Sequence, residues 1–256
     1  MQETLLVCSK TTRKYLPKYS NVYMVTSAPK KTLLEFLGTH NKVLAIGGGA
    51  VIDTAKILSS TPIVCYPTTA AGSSCTSHSV CWDGKIKMSI KREIPSKVIV
   101  KEEYVKNLPS KIKEYTTYDA ISHCLDSLWS TNKSKESTYH AEQALEILKS
   151  EHSNVDLINA GNIAGKAIQL CPTTILHSIS YPLTAHYGIP HGKALGYLLP
   201  RVSKYFNFDI SQYMRYEPVT LNNINWKKVC KESLKYDKIY NVDKKINEEV
   251  LMRILT

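Results

Sequence analysis

The apolar pattern of this 256-residue chain changes near residue 110. Before that point, short apolar runs rich in β-branched residues alternate with segments of helical patterning; the runs are TLLVC, NVYMVTS, KVLAIGG, TPIVCYP and PSKVIV. Strands that alternate with helices favour a parallel sheet. Between the second and third runs, the segment KKTLLEFLGTH predicts a helix that ends near Gly38.

After residue 110 the pattern is helical. Helices are predicted in TTYDAISHCLDSLWS, STYHAEQALEILKS, DLINAGNIAGKAIQLC and the tail VDKKINEEVLMRIL. We therefore predict two domains. Residues 1–110 form an α/β domain around a parallel sheet, and residues 111–256 form an all-α domain.

A glycine triplet follows the third apolar run, in KVLAIGGGAVIDTAK. Gly47–Gly49 turn the chain from a predicted strand into a helix that begins near Ala50. Glycines let the backbone approach a pyrophosphate closely, and a helix N-terminus offers free N–H groups to it. Asp53 and Lys56 on the following helix strengthen this interpretation, although the spacing is neither G-x-G-x-x-G nor that of a P-loop.

The helical half contains one carboxylate and three imidazoles that can surround a single divalent metal: Asp119, His123, His177 and His191. Asp119 and His123 are four residues apart, so they project from the same face of a helix. The other two flank a turn containing Pro and Gly, which can bring them back toward that face. Such a set suits zinc or ferrous iron and leaves room for a substrate oxygen. The alternative is that these are scattered surface or core histidines.

The composition, 43% hydrophobic and 21% charged, is that of an ordinary globular protein. We find no apolar stretch long enough to span a membrane, and the N-terminal residues lack the pattern expected of a signal peptide. Seven cysteines without C-x-x-C spacing favour reduced thiols and a cytoplasmic location. The net charge of +11 raises the question of nucleic acid, but the lysines are dispersed and no nucleic-acid motif accompanies them. We expect neither a nucleic-acid nor a membrane partner, since an anionic substrate explains the charge as well.

Five motifs carry a resemblance to a known family: GGGAVIDTAK, YPTTAAGSSCTS, KIKMSI, DAISH and HSISYPLTAHYGIPHG. In this order they resemble the iron-containing (group III) alcohol dehydrogenase family, over roughly residues 21–200. The resemblance implies a dehydroquinate synthase-like fold, in which an N-terminal Rossmann-like domain precedes a helical metal-binding domain. It also implies NADPH or NADH, one divalent metal (Fe²⁺ or Zn²⁺), a small aldehyde or alcohol substrate and a homodimer.

By this resemblance the cofactor contacts fall in the N-terminal half, on Gly47, Gly48, Gly49, Asp53, Thr68, Thr69 and Lys87. The segment after the threonines departs from the family, because it is one residue shorter and has Cys75 near the place of a usual acidic residue. Ser27 stands where NAD-preferring relatives have an aspartate, and Lys30 and Lys31 follow it. We predict a preference for NADPH over NADH; the alternative is a solvated turn.

The family's four metal ligands match Asp119, His123, His177 and His191. Tyr181 replaces a histidine that many relatives carry four residues after the third ligand, which makes it a candidate proton donor. His186 is the second candidate, with the alternative that it faces outward. Asp126 stands where many relatives have glutamate and would support the metal site.

The sequence SYPLT followed by GIPHG resembles the phosphonoacetaldehyde reductase branch, which forms 2-hydroxyethylphosphonate. Lys193 in PHGKALG is then a candidate contact for the phosphonate. Three other functions stay open: a reductase of another small aldehyde, a dehydroquinate synthase-like lyase and a catalytically silent scaffold. The lyase branch usually has glutamate at the position of Asp119, and intact ligands and glycines count against a silent scaffold.

Overall fold

The computed structural model describes residues 3–256. Within these residues, five parallel strands form one sheet in the order β2-β1-β3-β4-β7. The strands are β1 (Leu5–Ser9), β2 (Val22–Val25), β3 (Val43–Gly47), β4 (Val64–Pro67) and β7 (Lys97–Val98). The predicted parallel sheet is confirmed, and each apolar run contributes one strand.

The strands β5 (His78–Asp83) and β6 (Ile86–Lys91) form a separate antiparallel hairpin. Asp83 pairs with Ile86 across a turn in which Gly84 has φ +57°. The apolar pattern does not predict this hairpin. Gly84 is the first of the two turn residues, and glycine at that position is a known hairpin signal because it adopts positive φ without steric cost.

Helices make up most of the remaining chain. They are α1 (Gly49–Leu58), α2 (Glu102–Val105), α3 (Ser110–Trp129), α4 (Lys135–Lys149), α5 (Asn154–Leu170), α6 (Ile175–Tyr187), α7 (His191–Tyr205), α8 (Trp226–Ser233) and α9 (Glu248–Leu255). Among residues 3–256, no helix is both long and apolar enough to cross a bilayer. The seven cysteines are free, as their number and spacing predicted.

Two predicted helices are shorter than expected. The segment KKTLLEFLGTH forms only a 3₁₀ helix at Lys31–Phe36, in which Leu33 is the single buried residue, so little packing supports a longer helix. In the tail, the helix begins at Glu248 rather than near Val242. Asn247 defines this start, because its side chain accepts a hydrogen bond from the N–H of Val250.

The sheet is covered on both faces, as expected for parallel strands. Along β1 and β3 the side chains alternate, so that Leu6 and Ile46 join the core of the helical half. Their neighbours Val7 and Ala45 instead face a second core built with α1. The last strand, β7, ends at Val98 and α2 begins at Glu102, so helices replace strands between these residues. The division into two domains at residue 110 stays a prediction.

The loop after β4 is clamped between the glycine triplet and α5. A Cβ added to Gly161 would lie 2.4 Å from Cα of Ala70, and one on Gly165 would lie 2.5 Å from the carbonyl oxygen of Gly72. Two glycines one helical turn apart therefore let this loop rest directly on α5. The contact fixes the position of the threonines that precede it.

Candidate metal centre and cofactor crevice

Three helices bring the four predicted metal ligands together. Asp119 and His123 lie on α3, His177 lies in the first turn of α6, and His191 is the first residue of α7. The Oδ1 atom of Asp119 lies 3.5 Å from Nε2 of His123, 3.4 Å from Nε2 of His177 and 3.5 Å from Nε2 of His191. Three imidazoles thus converge on one carboxylate oxygen.

These separations fit a bound metal. Donor atoms at the corners of a tetrahedron are about 1.6 times the metal–ligand distance apart, so bonds of about 2.0–2.2 Å require edges of about 3.3–3.6 Å. The three distances from Asp119 fall in this range. The donors of Asp119, His177 and His191 also lie within 4.8 Å of one another, whereas the donor of His123 lies outside this compact group and approaches it through its contact with Asp119. The His191 side chain is 35% exposed, which leaves this side of the site open to a substrate.

Asp126 holds His177 in the orientation that a metal requires. One carboxylate oxygen accepts hydrogen bonds from Nδ1 of His177 at 2.8 Å and from its backbone N–H at 3.2 Å. The other accepts from the hydroxyl of Thr174 and the N–H of Leu176, both at 3.0 Å. Because Nδ1 is engaged, Nε2 is the nitrogen that faces Asp119. The supporting position expected for Asp126 is therefore observed.

The protonation of the ligands follows from burial and charge. Burial lowers the pKa of His123 to about 3, so its imidazole is neutral and can offer one nitrogen to a metal. Burial acts in the same direction on His177, but hydrogen bonds to Asp119 and Asp126 outweigh it and raise its pKa to about 9. The pKa of Asp119 is held well below its usual value by the surrounding imidazoles, although burial opposes this. The site therefore contains a carboxylate, and a metal ion would displace a proton from His177.

Replacing Asp126 with asparagine is expected to weaken metal binding by about 10–100-fold. An amide has a single acceptor oxygen, so two of the four donors on Asp126 would face an NH₂ group. The measurement is the Zn²⁺ dissociation constant by competition with a chelator. Asp243→Asn, at an exposed position, is the control. Unchanged affinity in the Asp126 variant would contradict the orienting role.

Tyr181 lies against the ligands, one helical turn after His177. Its ring centroid is 6.1 Å from that of His191 and 6.2 Å from that of His177. Its hydroxyl accepts hydrogen bonds from Nζ of Lys87 at 2.7 Å and Nζ of Lys238 at 2.8 Å. Although burial raises the pKa of Tyr181, the two ammonium groups outweigh it and hold that pKa well below its usual value.

Lys238 is the residue that sequence reasoning missed. It lies in a 3₁₀ helix at Asp237–Tyr240, 57 residues after Tyr181, in a segment without a recognised motif. No local pattern could have connected it to the site. Lys87 reaches the same hydroxyl from β6, so the hairpin brings a predicted cofactor contact to the metal centre.

Two predicted residues do not reach the ligands. His186 follows His177 by nine positions on α6, about 180° around the helix, so the two side chains leave opposite faces. Its charged neighbours include Lys228 and Glu232 of α8. Lys193 leaves α7 about 200° around the helix from His191. Helical geometry therefore directs both side chains away from the ligands, which argues against His186 as a proton donor and Lys193 as a phosphonate contact.

The glycine triplet and the threonine pair meet at the carboxyl edge of the sheet. Gly47 at the end of β3 pairs with Pro67 of β4, and its carbonyl accepts from the N–H of Thr68 at 3.0 Å. A Cβ on Gly48 would lie 2.9 Å from Oγ1 of Thr69. The N-terminus of α1 has no side-chain cap, so its N–H groups are available to a phosphate.

Asp53 and Lys56 form hydrogen bonds with the loop that follows the threonine pair. Asp53 accepts a hydrogen bond from the hydroxyl of Ser73 at 2.6 Å. Lys56 is 2% exposed and donates to the carbonyls of Thr76 at 2.9 Å and His78 at 2.8 Å. The sequence-based interpretation of Lys56 as part of a phosphate site is wrong, because backbone carbonyls occupy its ammonium group.

The predicted ribose contact lies in a groove at the end of β2. Ser27 and Lys30 line a cavity of about 290 Å³ there. Lys31, by contrast, is ion-paired with Asp83 of β5 at 2.8 Å. Of the two lysines considered for a 2′-phosphate, Lys30 is therefore the one that lines the groove.

The family model described as "Fe-containing alcohol dehydrogenase family, C-terminal" matches residues 113–253, more than half of the chain and all four candidate ligands. The chain belongs to this family. The family resemblance inferred from the motifs is thus confirmed. In fold, this chain is similar to a sulfoacetaldehyde reductase from Bifidobacterium kashiwanohense solved with NAD⁺. The TM-score is 0.81 at 22% identity, over 100% of this chain and 90% of the other.

Curated relatives of this chain include a phosphonoacetaldehyde reductase from Streptomyces viridochromogenes. It is 27% identical over an alignment of 206 positions, and the match covers 63% of this chain and 52% of the relative. A 4-hydroxybutyrate dehydrogenase from Clostridium kluyveri is 26% identical over an alignment of 199 positions, and the match covers 60% of this chain and 52% of the relative. The chain spans about half the length of the curated relatives that it matches.

Proposed function

We propose that this protein is a metal-dependent reductase that uses NADPH or NADH to convert a small anionic aldehyde, phosphonoacetaldehyde, into its alcohol. The observation that carries the proposal is the convergence of three imidazole nitrogens, 3.4–3.5 Å from one carboxylate oxygen of Asp119. The bare N-terminus of α1 adds a phosphate-binding element. A homodimer and a cytoplasmic location belong to the proposal by family resemblance.

Different residues of the chain would bind the metal and the cofactor. The metal would be held by Asp119, His123, His177 and His191, and the pyrophosphate by the glycine triplet. When bound, the metal supplies polarisation of the carbonyl oxygen and the nicotinamide supplies the hydride. Asp126 keeps His177 oriented through its hydrogen bond to Nδ1. The exposed side of His191 admits the substrate.

Tyr181 is the residue that we assign as proton donor to the oxygen of the reduced substrate. Its phenol is 3% exposed and lies against the rings of His177 and His191. The ammonium groups of Lys87 and Lys238 would stabilise the phenolate left after the proton leaves the Tyr181 hydroxyl. A phenol with a lowered pKa gives up its proton more readily near neutral pH.

The anionic substrate is supported by the names of three similar proteins. They are called phosphonoacetaldehyde reductase, sulfoacetaldehyde reductase and 4-hydroxybutyrate dehydrogenase. A phosphonate, a sulfonate and a carboxylate share negative charge at the end away from the reacting carbon. The net charge of +11 is favourable for attracting such a substrate.

The first experiment measures NADPH and NADH oxidation by protein reconstituted separately with Fe²⁺ and Zn²⁺. Phosphonoacetaldehyde, sulfoacetaldehyde, succinic semialdehyde and propionaldehyde are the substrates, and His191→Ala is the matched inactive variant. We expect turnover of phosphonoacetaldehyde that exceeds turnover of propionaldehyde and is absent in His191→Ala. Activity with propionaldehyde alone would discard the anionic substrate. No turnover of any aldehyde by protein with one bound metal per chain would favour the lyase or the silent scaffold.

Lys30→Glu is expected to raise the KM for NADPH roughly tenfold and to leave that for NADH nearly unchanged. Lys30 is exposed in the groove that Ser27 lines, and reversing its charge would repel a 2′-phosphate. Lys42→Glu, at an exposed position just before β3 and so at the opposite edge of the sheet, is the control. Equal use of both cofactors by the unmodified protein would refute the NADPH preference.

A further inference from the structure

Lys238 is held beside the metal ligands by two hydroxyl groups. Its Nζ donates to Oγ1 of Thr173 at 2.7 Å and to Oη of Tyr181 at 2.8 Å. Thr173 and Tyr181 lie just before and within α6, which also carries His177. An ammonium group has three N–H donors, so one donor of Lys238 is left for another acceptor.

The ammonium group of Lys238 has no carboxylate partner among the described residues. Within residues 3–256, the lysines with a carboxylate oxygen within 4.0 Å are Lys31, Lys101, Lys149 and Lys235. Asp126 is the carboxylate whose charge acts on Lys238. It already accepts four hydrogen bonds from Thr174 and from the first residues of α6. Lys87 adds a second ammonium group on the same tyrosine oxygen. Two ammonium groups that share one tyrosine oxygen, with no carboxylate beside them, create a positive potential that favours the binding of an anion.

The position of Lys238 suits the far end of a small substrate. The Tyr181 ring contacts His177 and His191 on one side, and Nζ of Lys238 lies 4.6 Å from the centre of that ring. The cation thus lies beside the hydroxyl of the tyrosine whose ring packs against two of the metal ligands. An aldehyde whose carbonyl oxygen points to the ligands would bring an anionic group on the neighbouring carbon toward this cation.

We infer that Lys238 recognises the anionic group of the substrate and sets the preference for phosphonate-bearing over neutral aldehydes. The inference rests on the proposed function and identifies Lys238 as the residue that selects anionic aldehydes as substrates. Thr173 and Tyr181 hold the ammonium group in place, and Lys87 adds to the positive potential from the hairpin. This assigns to Lys238 the role that local sequence similarity suggested for Lys193.

The test combines a binding measurement with a specificity ratio. Methylphosphonate binding to Zn²⁺-loaded protein, followed by ³¹P NMR, is expected to weaken at least about tenfold in Lys238→Met, because a charge-assisted hydrogen bond is lost. The ratio of kcat/KM for phosphonoacetaldehyde to that for propionaldehyde is expected to fall by a similar factor. Lys235→Met removes an exposed charge from the same segment and should change neither quantity. Lys238→Arg should retain most of the methylphosphonate affinity.

The other outcomes overturn the inference. Unchanged methylphosphonate binding in Lys238→Met would overturn the inference, and an equal loss on both aldehydes would limit Lys238 to its role beside the Tyr181 hydroxyl. A loss of NADPH affinity with unchanged methylphosphonate binding would assign the cation to the cofactor. Thr173→Val, a milder change that removes one anchor, should move methylphosphonate binding in the same direction if Lys238→Met does not fold. If no aldehyde is turned over, the proposed function fails while the binding arm still tests this subsite.

Discussion

Replacing Asp119 with asparagine is expected to lower the affinity for Zn²⁺ at least about 100-fold and to remove aldehyde reduction. Oδ1 of Asp119 lies within 3.5 Å of all three imidazole donors, so it is the single anionic ligand at the centre of the site. The amide keeps the shape of the side chain but loses the charge that balances the metal. The affinity is measured by competition with a chelator and the bound metal by elemental analysis.

The control for Asp119→Asn is Glu142→Gln, which removes an exposed charge from α4. It should bind Zn²⁺ like the unmodified protein. One tightly bound metal per chain in Asp119→Asn would place the metal elsewhere and would refute the four-ligand site. Loss of metal with a retained thermal transition would separate ligation from folding.

Gly161→Ala is expected to destabilise the protein by about 1–3 kcal/mol and to weaken NADPH binding. The new methyl group would lie 2.4 Å from Cα and Cβ of Ala70, so backbone rather than a flexible side chain would have to move. The loop that moves carries Thr69, whose Oγ1 lies against Gly48. Alanine gains about 1 kcal/mol over glycine in helix propensity, which the clash outweighs.

The measurements for Gly161→Ala are the midpoint of urea unfolding and the NADPH dissociation constant. Lys166→Ala, at an exposed position on the same helix, is the matched control and should change neither quantity appreciably. A Gly161→Ala variant with full stability and unchanged NADPH affinity would mean that the loop tolerates displacement. The clamp would then have no part in positioning the threonine pair.

Local patterns accounted for the elements that frame the site. The four-residue spacing of Asp119 and His123, and the glycine triplet after an apolar run, depend on the periodicity of a helix and on backbone freedom at one turn. Such features depend on residues close together in the chain, so they can be predicted from the sequence. The structure places both on the expected elements, α3 and the start of α1.

Helical periodicity could have corrected two sequence-based assignments. His186 and Lys193 were chosen for their closeness in sequence to His177 and His191, yet they leave their helices about 180° and 200° away from those ligands. The helix α6 continues through Pro182 to Tyr187 and ends at Gly188, so His186 still lies on the same helix as His177. Counting 100° per residue along α6 and α7 predicts that both side chains point away from His177 and His191.

The sequence by itself determined the family, the alternation of strands and helices, and the four side chains able to bind a metal, because these depend on residue type and short-range spacing. Tertiary structure alone decided which cations meet those side chains. Lys87 lies 94 residues before Tyr181 and Lys238 lies 57 residues after it, yet both ammonium groups reach one hydroxyl. It also decided that Lys56 holds a loop rather than a phosphate. Long side chains find their partners through the packing of distant elements, which no local spacing encodes.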